Sequence, residues 1–578
     1  MPVTVLYPGV YVEEISSGVR TITGVATSVT AFLGRARMGP VNEPVQINNY
    51  GDFERRYGGL AVDYPLSYAV RDFYLNGGSQ ALIVRLYREA AAQNDARSEL
   101  QVDDLELVAN SPGKWGKRLR ASIDVEVADE VRSRLGLGPD DVLFNLVIRL
   151  GQSVTEKFLN LTVTDNARRI DRVLKAESNL VQWKTGSWPS PAPAMNKTRA
   201  ATAAYRDMLD NPGDQAKRDA YENAKHDLDD AATRAEKELA AALLTNDPGQ
   251  ISTAQNKLKQ AEDAMKGSDG RPLDQGTYEG SNVDMTGIHA LDKADIFNLL
   301  CIPPDTRDGD TPAAVYQAAM EYCRKRRAFL LVDSPADWSA NRETAAAAAK
   351  NGLADLGLTG EAARNAALYF PRVLEADPLR DGQTDTFAPC GIIAGVLART
   401  DTARGVWKAP AGLDASMNGI QGLNVNLNDN ENGMLNPLGI NCLRTFPVYG
   451  RVVWGARTLR GADQLADEYK YISVRRTALY IEESLYRGTQ WVVFEPNDEP
   501  LWAQIRLNVG AFMHNLFRQG AFQGTTPRQA YFVKCDRETT TQNDIDQGIV
   551  NIVVGFAPLK PAEFVIIKLQ QIAGEIEV

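Results

Sequence analysis

The C-terminal part of the chain begins with Gln490-Trp491-Val492-Val493-Phe494-Glu495-Pro496-Asn497-Asp498-Glu499-Pro500, and the remaining sequence is best understood from this stretch outward. A helical pattern follows it, with large apolar residues at steps of three and four: Trp502, Ile505, Val509, Phe512, Met513 and Leu516. This spacing places them on one face of a helix. Asn497 or Asp498 can cap that helix, and the glycines at 520 and 524 end it. We therefore expect an amphipathic helix with a buried apolar face.

A strand-like segment lies near the end of the chain. Two shorter strand-like runs lead to Phe564-Val565-Ile566-Ile567-Lys568-Leu569. Its β-branched and aromatic residues favour a strand, and a strand without a neighbour leaves backbone donors and acceptors unpaired. Either the segment folds back onto its own domain, or another molecule supplies the neighbouring strand.

Length and composition describe an ordinary multidomain globular protein. The chain has 578 residues, of which 44% are apolar and 24% charged, and two to four domains are expected for this length. No run approaches the roughly 20 apolar residues of a membrane span, and the N-terminus lacks the basic and apolar regions of a secretory signal. Five scattered cysteines without a C-x-x-C pair fit a reducing cytoplasm.

The charge distribution has one unusual window. The net charge of −11 argues against a general nucleic-acid binder. Residues 501–534, however, contain no Asp or Glu and carry four cations: Arg506, Arg518, Arg528 and Lys534. This window is either a chance feature of a buried helix or a surface complementary to an acidic partner.

The first half of the chain changes character near residue 96. Residues 25–36 and 79–87 are predicted strands that flank a helix around 64–75. Residues 101–183 hold strand-like runs with polar connections, whereas 196–266 are rich in alanine and charge, which favours helices. Asn211-Pro212-Gly213 and Asn246-Asp247-Pro248-Gly249 divide this region into three predicted helices. The middle one, about 214–244, would be roughly 45 Å long.

An α/β pattern resumes near residue 291. Short apolar runs at 296–302, 328–333 and 366–373 alternate with helical stretches at 312–327 and 340–352. Strands that alternate with helices indicate a mostly parallel sheet.

Few residues suggest a catalytic or ligand-binding role. The segment Asn110-Ser111-Pro112-Gly113-Lys114-Trp115-Gly116-Lys117 resembles a phosphate loop only superficially, since it has no upstream glycine at the required spacing and Arg118 replaces the magnesium-binding Ser or Thr. A Pro-Gly turn is the better interpretation. Cys535 and His514 could form a nucleophile and base, but a buried thiol and a surface imidazole are the simpler account. We predict no catalytic, cofactor-binding or metal-binding residues.

An ordered series of motifs carries a resemblance to a known family. The series comprises Pro8-Gly9-Val10-Tyr11-Val12-Glu13-Glu14, Val70-Arg71-Asp72-Phe73-Tyr74-Leu75-Asn76-Gly77-Gly78, Tyr369-Phe370-Pro371-Arg372, Ala394-Gly395, Arg399-Thr400-Asp401, Gly405-Val406-Trp407-Lys408-Ala409-Pro410-Ala411-Gly412, Leu435-Asn436, Gly439-Ile440-Asn441, Trp454-Gly455-Ala456-Arg457-Thr458, Tyr471-Ile472-Ser473-Val474-Arg475-Arg476, Phe494-Glu495-Pro496-Asn497-Asp498-Glu499-Pro500-Leu501-Trp502 and Val554-Gly555-Phe556-Ala557-Pro558-Leu559-Lys560-Pro561-Ala562-Glu563-Phe564. Together these segments, which cover roughly 1–90 and 365–578, resemble the contractile tail sheath proteins of phages and contractile injection systems.

The resemblance implies a multidomain α/β (α+β) fold. It implies an N-terminal arm (1–20), a sheath core in two parts (21–95 and 291–555), an inserted outer region (96–290) and a C-terminal arm strand (556–578). The insertion would be β-rich over 101–188 and helical over 196–266. A tube-facing domain would span about 435–555.

The resemblance also implies a structural protein and not an enzyme. Such subunits form stacked six-membered rings around an inner tube and contract from a metastable extended state. The arms would join neighbouring subunits through Val10, Tyr11, Val12, Phe564, Val565, Ile566, Ile567 and Leu569. Arg506, Arg518, Arg528 and Lys534 would face the tube.

The implied partners are the protein itself, an inner tube protein, and baseplate and tail terminator proteins, with no cofactor, nucleic acid or membrane insertion. Assembly in the bacterial cytoplasm would give a phage tail or an injection particle that the cell releases; the helical insertion favours the injection particle. Two alternatives stay open: an α/β enzyme of unknown substrate that uses the 296–373 strands, and a tail terminator or baseplate protein that shares the C-terminal domain.

Overall fold

A computed structural model of the chain describes residues 20–90, 96–152, 154–185 and 188–568. The first part supplies three strands and two helices to the main sheet. These elements are β1 (Thr30–Gly34), β2 (Val45–Ile47), α1 (Tyr50–Tyr57), α2 (Pro65–Leu75) and β3 (Ala81–Arg85). The predicted strands around a helix at 64–75 are confirmed, and that helix ends at Asn76, followed by Gly77 with a positive φ.

The second part begins near residue 291 and completes the same sheet. Its elements up to residue 453 are β10 (Leu299–Cys301), α10 (Ala313–Lys325), β11 (Phe329–Asp333), α11 (Ala345–Gly352), β12 (Ala366–Phe370), β13 (Val373–Asp377), β14 (Gln383–Phe387), α12 (Cys390–Arg404), β15 (Gly422–Leu423), α13 (Asp429–Leu435), β16 (Ile440–Phe446) and β17 (Gly450–Val453). The eight strands of the sheet run in the order β17-β16-β12-β11-β10-β1-β3-β2. The six central strands are parallel, and the edge strands β2 and β17 are antiparallel to their neighbours. The predicted parallel α/β unit is therefore confirmed, and it joins residues more than 250 positions apart, since Thr30 pairs with Leu299.

Both faces of the sheet are buried, because helices cover each side. Along β1, Ala31 and Leu33 enter one core while Phe32 enters the other, as the two-residue repeat of a strand requires. On the second face α12 packs closely on α2. A Cβ added at Gly391 would lie 2.1 Å from the Ala69 carbonyl oxygen, and one at Gly395 would lie 2.6 Å from that of Phe73. Only glycine permits this approach at the two positions.

Residues 96–290 form a layer with its own core, except that Tyr278, Ile288 and Ala290 near its end belong to a core of the main sheet. The elements are β4 (Glu99–Val102), β5 (Leu105–Ala109), β6 (Leu119–Asp124), α3 (Asp129–Arg134), β7 (Phe144–Leu150), β8 (Val154–Leu161), α4 (Ile170–Glu177), β9 (Val181–Trp183), α5 (Asn196–Asp210), α6 (Gln215–His226), α7 (Ala231–Thr245), α8 (Pro248–Ala264) and α9 (Gln275–Glu279). Two three-stranded antiparallel sheets, β4-β5-β9 and β6-β7-β8, share one apolar cluster with the helices.

The prediction of three helices over 196–266 is wrong, because the structure contains four. The chain leaves the helical path after His226 and pairs with β6: Ile123 donates to the Leu228 carbonyl at 2.9 Å, and Asp230 donates to that of Ala121 at 2.9 Å. Leu228 is fully buried, and the Asp230 side chain caps α7 by accepting from the backbone of Thr233. Tertiary pairing and a new cap therefore overcome the helix preference of the local sequence.

The C-terminal elements pack beside the main sheet. They are α14 (Ile472–Gly488), α15 (Glu499–Arg518), α16 (Pro527–Ala530), β18 (Tyr531–Lys534), α17 (Gln542–Asp546) and β19 (Val553–Phe556). They share a fourth apolar cluster, which includes Ile481 of α14 and Ile505 of α15.

Candidate functional site

The helix predicted from the sequence is α15, and its details match the pattern. Asp498 caps it by accepting from the backbone of Leu501 at 3.3 Å, and the acidic Glu499 lies in the first turn, where the helix dipole favours negative charge. All six residues of the predicted apolar face are buried: Trp502, Ile505, Val509, Phe512, Met513 and Leu516. This face packs in the apolar cluster that the C-terminal elements share.

The two strand-like runs after α15 form a small antiparallel sheet. Tyr531 pairs with Phe556 and Lys534 with Val553. The chain continues this pairing beyond β19, since Ala557 donates to the Ala530 carbonyl at 2.8 Å and accepts from the backbone of Gln523 at 2.9 Å. In the described part of the chain this sheet has only two strands, and two-stranded sheets are marginal on their own.

An ion pair fixes the chain just before the exposed tail. Arg457, which has 0% side-chain exposure, donates from Nε and Nη2 to the two carboxylate oxygens of Glu563 at 2.8 and 2.6 Å. Its Nη1 contacts Asp463 at 2.9 Å, and the Tyr471 hydroxyl donates to Glu563 at 3.2 Å. Burial disfavours the charged guanidinium, but its hydrogen bonds to Glu563 outweigh this effect and raise the pKa of Arg457 above its ordinary value. The ion pair thus connects residue 563 to the loop between β17 and α14.

The tail after this ion pair presents apolar side chains to solvent. Phe564, Val565, Ile566 and Ile567 are between 75% and 82% exposed, and no strand partner is assigned to them among the residues that the structure describes. Four adjacent exposed apolar residues in an extended segment are unusual on a monomer surface and indicate an interaction site. Leu569 and the predicted N-terminal arm residues Val10, Tyr11 and Val12 lie outside the described residues.

The four cations of the acid-free window differ in their surroundings. Arg506 pairs with Glu499 at 2.6 Å, and Lys534 lies 3.7 Å from Glu538; both acids lie just outside the window in sequence. Arg518 and Arg528 are exposed and make no ion pair with the described residues. Of the four, Arg518 and Arg528 are therefore the cations that remain free for an acidic partner.

The candidate chemical residues take ordinary structural roles. Cys535 is fully buried, and burial raises the pKa of its thiol to about 11, whereas His514 is exposed on α15. In the phosphate-loop lookalike, the Pro112 carbonyl accepts from Arg85 at 2.7 Å and Trp115 is buried, which fits the predicted turn. Among the described residues there is no group of three or more His, Cys, Asp and Glu that could hold a metal.

Two features of the site were not predicted from the sequence. The pairing of Arg457 with Glu563 spans 106 residues, so no local pattern could reveal it, although both residues fall within the quoted motifs. The second is the exposure of Phe494 on a tight turn. Its only local signal was an aromatic residue next to Glu-Pro-Asn, which is a turn composition. The structure also provides no helix long and apolar enough to cross a membrane within the described ranges.

Comparisons with known proteins define the class. A model of the phage tail sheath protein central domain matches residues 281–459, and a model of the phage tail sheath C-terminal domain matches residues 466–572. The two matches adjoin and contain the second part of the main sheet, the Arg457–Glu563 ion pair and the exposed tail. Over these residues the chain matches the central and C-terminal domains of phage tail sheath proteins, and it is similar to that family.

Individual relatives agree with this assignment. The tail sheath protein of Vibrio phage KVP40 is 27% identical over 176 residues, which is 30% of this chain and only 25% of that protein. The sheath of an extracellular contractile injection system (PVC) in the contracted state is 19% identical with a TM-score of 0.53, covering 98% of each chain. The contracted helical sheath of the anti-feeding prophage is 22% identical, with a TM-score of 0.50 and coverage of 98% of this chain and 100% of that one. The sheath tail protein Lin1278 from Listeria innocua is 14% identical with a TM-score of 0.52, covering 93% and 96%. At these identities the structures establish a shared mixed α/β fold over nearly the whole chain.

Proposed function

We propose that this protein is the repeating, non-enzymatic subunit of a contractile sheath. Subunits would stack as hexameric rings around an inner tube and drive the tube through a target envelope by contracting from a metastable extended state. The observation that carries the proposal is the exposed apolar tail, Phe564–Ile567, held at its base by the Arg457–Glu563 ion pair.

The tail is suited to joining subunits. Its apolar side chains are exposed although the residue before it is fixed, and an extended apolar segment can add a strand to a sheet in another molecule. The two-stranded sheet of β18 and β19 is a suitable acceptor, since it lacks a third strand in the described chain. The predicted N-terminal arm, with Val10, Tyr11 and Val12, would add to such a sheet in the same way.

The remaining partners follow from the same proposal. An inner tube would contact the exposed side of the C-terminal elements, where Arg518 and Arg528 are free of acidic neighbours, and baseplate and terminator proteins would bind the two ends of the cylinder. The particle would be a phage tail or an extracellular injection system assembled in a bacterial cytoplasm. No observation on the described residues favours the enzyme alternative.

Deletion of Phe564–Val578 tests the role of the tail. Because Glu563 remains and the described part of the removed segment, residues 564–568, is exposed, we expect a folded monomer with an unchanged unfolding midpoint. Polymerisation should be lost, since each apolar side chain that an assembled sheet buries contributes roughly 1.5–3 kcal/mol. Negative-stain microscopy and sedimentation measure the outcome; cylinders of normal length from the truncated chain would refute the arm mechanism.

Charge reversal tests the tube contact. Arg518→Glu combined with Arg528→Glu should leave the subunit folded and able to assemble alone, but should weaken its co-sedimentation with a purified tube, most strongly at low salt. Arg506→Gln is the matched control, because Glu499 already neutralises Arg506. Equal tube binding by the reversed and native proteins would remove these two residues from the contact.

A further inference from the structure

An aromatic side chain is fully exposed to solvent at the turn before α15. Phe494 is fully exposed and has a φ of +71°. The turn runs from Val492 to Glu495, whose backbone N–H donates to the Val492 carbonyl at 3.1 Å. Val493 has φ −65° and ψ 128°, so this is a type II turn with Phe494 at the third position, which favours Gly or Asn. A phenylalanine here is strained and contributes no packing to its own subunit.

The turn is held in place from both sides. A 3₁₀ helix, Gln490–Val492, precedes it. After it, Asn497 donates from Nδ2 to the Ile549 carbonyl at 3.0 Å and accepts from Trp502 Nε1 at 2.9 Å. The Phe494 turn (residues 492–495) is therefore a fixed projection. It also carries negative charge, because Glu495 is exposed and forms no ion pair among the described residues.

A cleft of matching character lies at the opposite end of α15. Its volume is about 950 Å³, and its lining includes Gln519 and Gly520, which directly follow the helix. Because α15 has 20 residues, the turn and the cleft are separated by roughly 30 Å along the helix axis. Its apolar wall residues include Trp407, Trp454 and Ala456 and, from the start of the exposed tail, Phe564 and Val565. We call this the Trp407 cleft.

The Trp407 cleft is positively charged. Arg404, Lys408 and Lys560 line it, and none of the three forms an ion pair with the described residues. The one acid in the lining, Glu563, is engaged by Arg457. Burial and the neighbouring Arg404 lower the pKa of Lys408, so an incoming carboxylate would be favoured there.

We propose that the Phe494 turn of one subunit occupies the Trp407 cleft of a second copy of this chain. Phe494 would lie between Trp407 and Trp454, and Glu495 would contact Lys408 or Arg404. Apolar character and charge are both complementary across this contact. Since the two surfaces are different parts of the subunit, the contact is heterologous and can repeat from subunit to subunit, giving a ring where the rotation closes and a helical array where it does not. The inference rests on the proposal that the chain polymerises.

Phe494→Gly separates assembly from folding. Glycine relieves the strained turn, so the unfolding midpoint of the monomer should stay equal or rise. The critical concentration for cylinder formation should rise roughly ten- to a hundredfold through the loss of one buried phenylalanine. Val283→Ala, at a side chain that is 89% exposed in the insertion, is the matched control and should assemble normally. Unchanged assembly of Phe494→Gly, or a clearly lowered midpoint, would overturn the inference.

A charge exchange identifies the cleft. Glu495→Lys and Lys408→Glu should each weaken assembly by about tenfold or more, and the double variant should recover most of it, because an ion pair with its sign reversed is restored. A merely structural role for either residue does not predict such recovery. Failure of the double variant to recover would refute the pairing.

Cysteine cross-linking identifies the occupant. All five native cysteines are buried, so engineered thiols can be oxidised selectively. Phe494→Cys with Ala409→Cys in one chain should give a ladder of dimers, trimers and larger species from cylinders, whereas each single variant should not. A ladder from Val10→Cys with Ala409→Cys instead would place the N-terminal segment, with Glu13 and Glu14, in the cleft and overturn the inference. If the native protein forms no cylinders, the proposed function itself fails. If the native protein forms cylinders and the variants of Phe494, Glu495 and Lys408 assemble equally well, this inference fails and the proposed function stands.

Discussion

Glu563→Gln tests whether the base of the tail belongs to the folded core. The substitution keeps the shape of the side chain but removes its charge and one of its two hydrogen bonds to the fully buried Arg457. A hydrogen bond to a charged group contributes about 1.5–3 kcal/mol. Because Asp463 still contacts Arg457 at 2.9 Å, the loss should be limited to about 2 kcal/mol of unfolding free energy.

A double-mutant cycle with Arg457→Met isolates this interaction. Arg457→Met leaves Glu563 with Lys470 at 3.9 Å and the Tyr471 hydroxyl at 3.2 Å, so we expect a loss of about 3 kcal/mol, at the lower end for a broken buried pair. The double variant should be no less stable than Arg457→Met alone, giving a coupling of about 2 kcal/mol. Urea denaturation of the monomer measures all four free energies. Phe564→Ala, one residue further on, should change stability by less than about 0.5 kcal/mol. Additive losses in the cycle would show that the tail base is not held as the structure indicates.

Two further predictions concern the main sheet and its helices. Burial raises the pKa of Asp333 to about 6, so the folded state binds this proton more tightly than the unfolded chain does. Stability should therefore increase by about 2.4 kcal/mol as the pH falls from 8 to 4, and this increment should be absent from Asp333→Asn. Asp72 and Glu375, whose pKa values burial also raises, act in the same direction, so the measurement is the difference between the two proteins in urea denaturation at each pH. Gly395→Ala should destabilise the subunit by about 1–3 kcal/mol, because the added Cβ would lie 2.6 Å from both Asn76 Cβ and the Phe73 carbonyl oxygen. Gly433→Ala in α13, where a Cβ meets nothing within 4 Å, should be neutral or slightly stabilising; similar losses for both glycines would contradict the close contact of α12 with α2.

Local patterns predicted the elements that their own residues determine. The apolar repeat of α15 and its cap at Asp498 depend on neighbouring positions, and the structure confirms both. The strands at 328–333 and 366–373 were recognisable because a parallel sheet that is buried on both faces needs continuous apolar runs. Where a contact with a distant part of the chain decides the conformation, local sequence patterns did not predict it. The break between α6 and α7 exists because Leu228 and Asp230 pair with β6, more than 100 residues earlier.

The same distinction applies to the site. The apolar run Phe564–Ile567 was visible in the sequence as a strand without an internal partner, and its exposure supports that interpretation. The sequence did not reveal that Glu563, immediately before it, is joined to a buried arginine 106 residues away. For Arg506 the sequence suggested an unpaired cation, because residues 501–534 contain no acid. In the structure Arg506 forms an ion pair at 2.6 Å with Glu499, which lies just before that window.

If the proposed sheath contracts, its lattice must change shape without coming apart, and the position of the ion pair suits that requirement. Glu563 is tied to its own subunit by hydrogen bonds to a buried arginine, whereas Phe564–Ile567 are exposed and have no strand partner among the described residues. Strain applied to the tail during a change in lattice pitch would therefore act on a charged pair enclosed by protein and not on the two-stranded sheet. Breaking that pair leaves the buried guanidinium with Asp463 as its acidic partner and costs about 2 kcal/mol, so the tail should remain attached to its own subunit while the contact with its neighbour rotates. The fixed carboxylate of Glu563 keeps the tail attached to its own subunit, and the exposed apolar residues directly after it can contact a neighbour. Neither feature alone would do both.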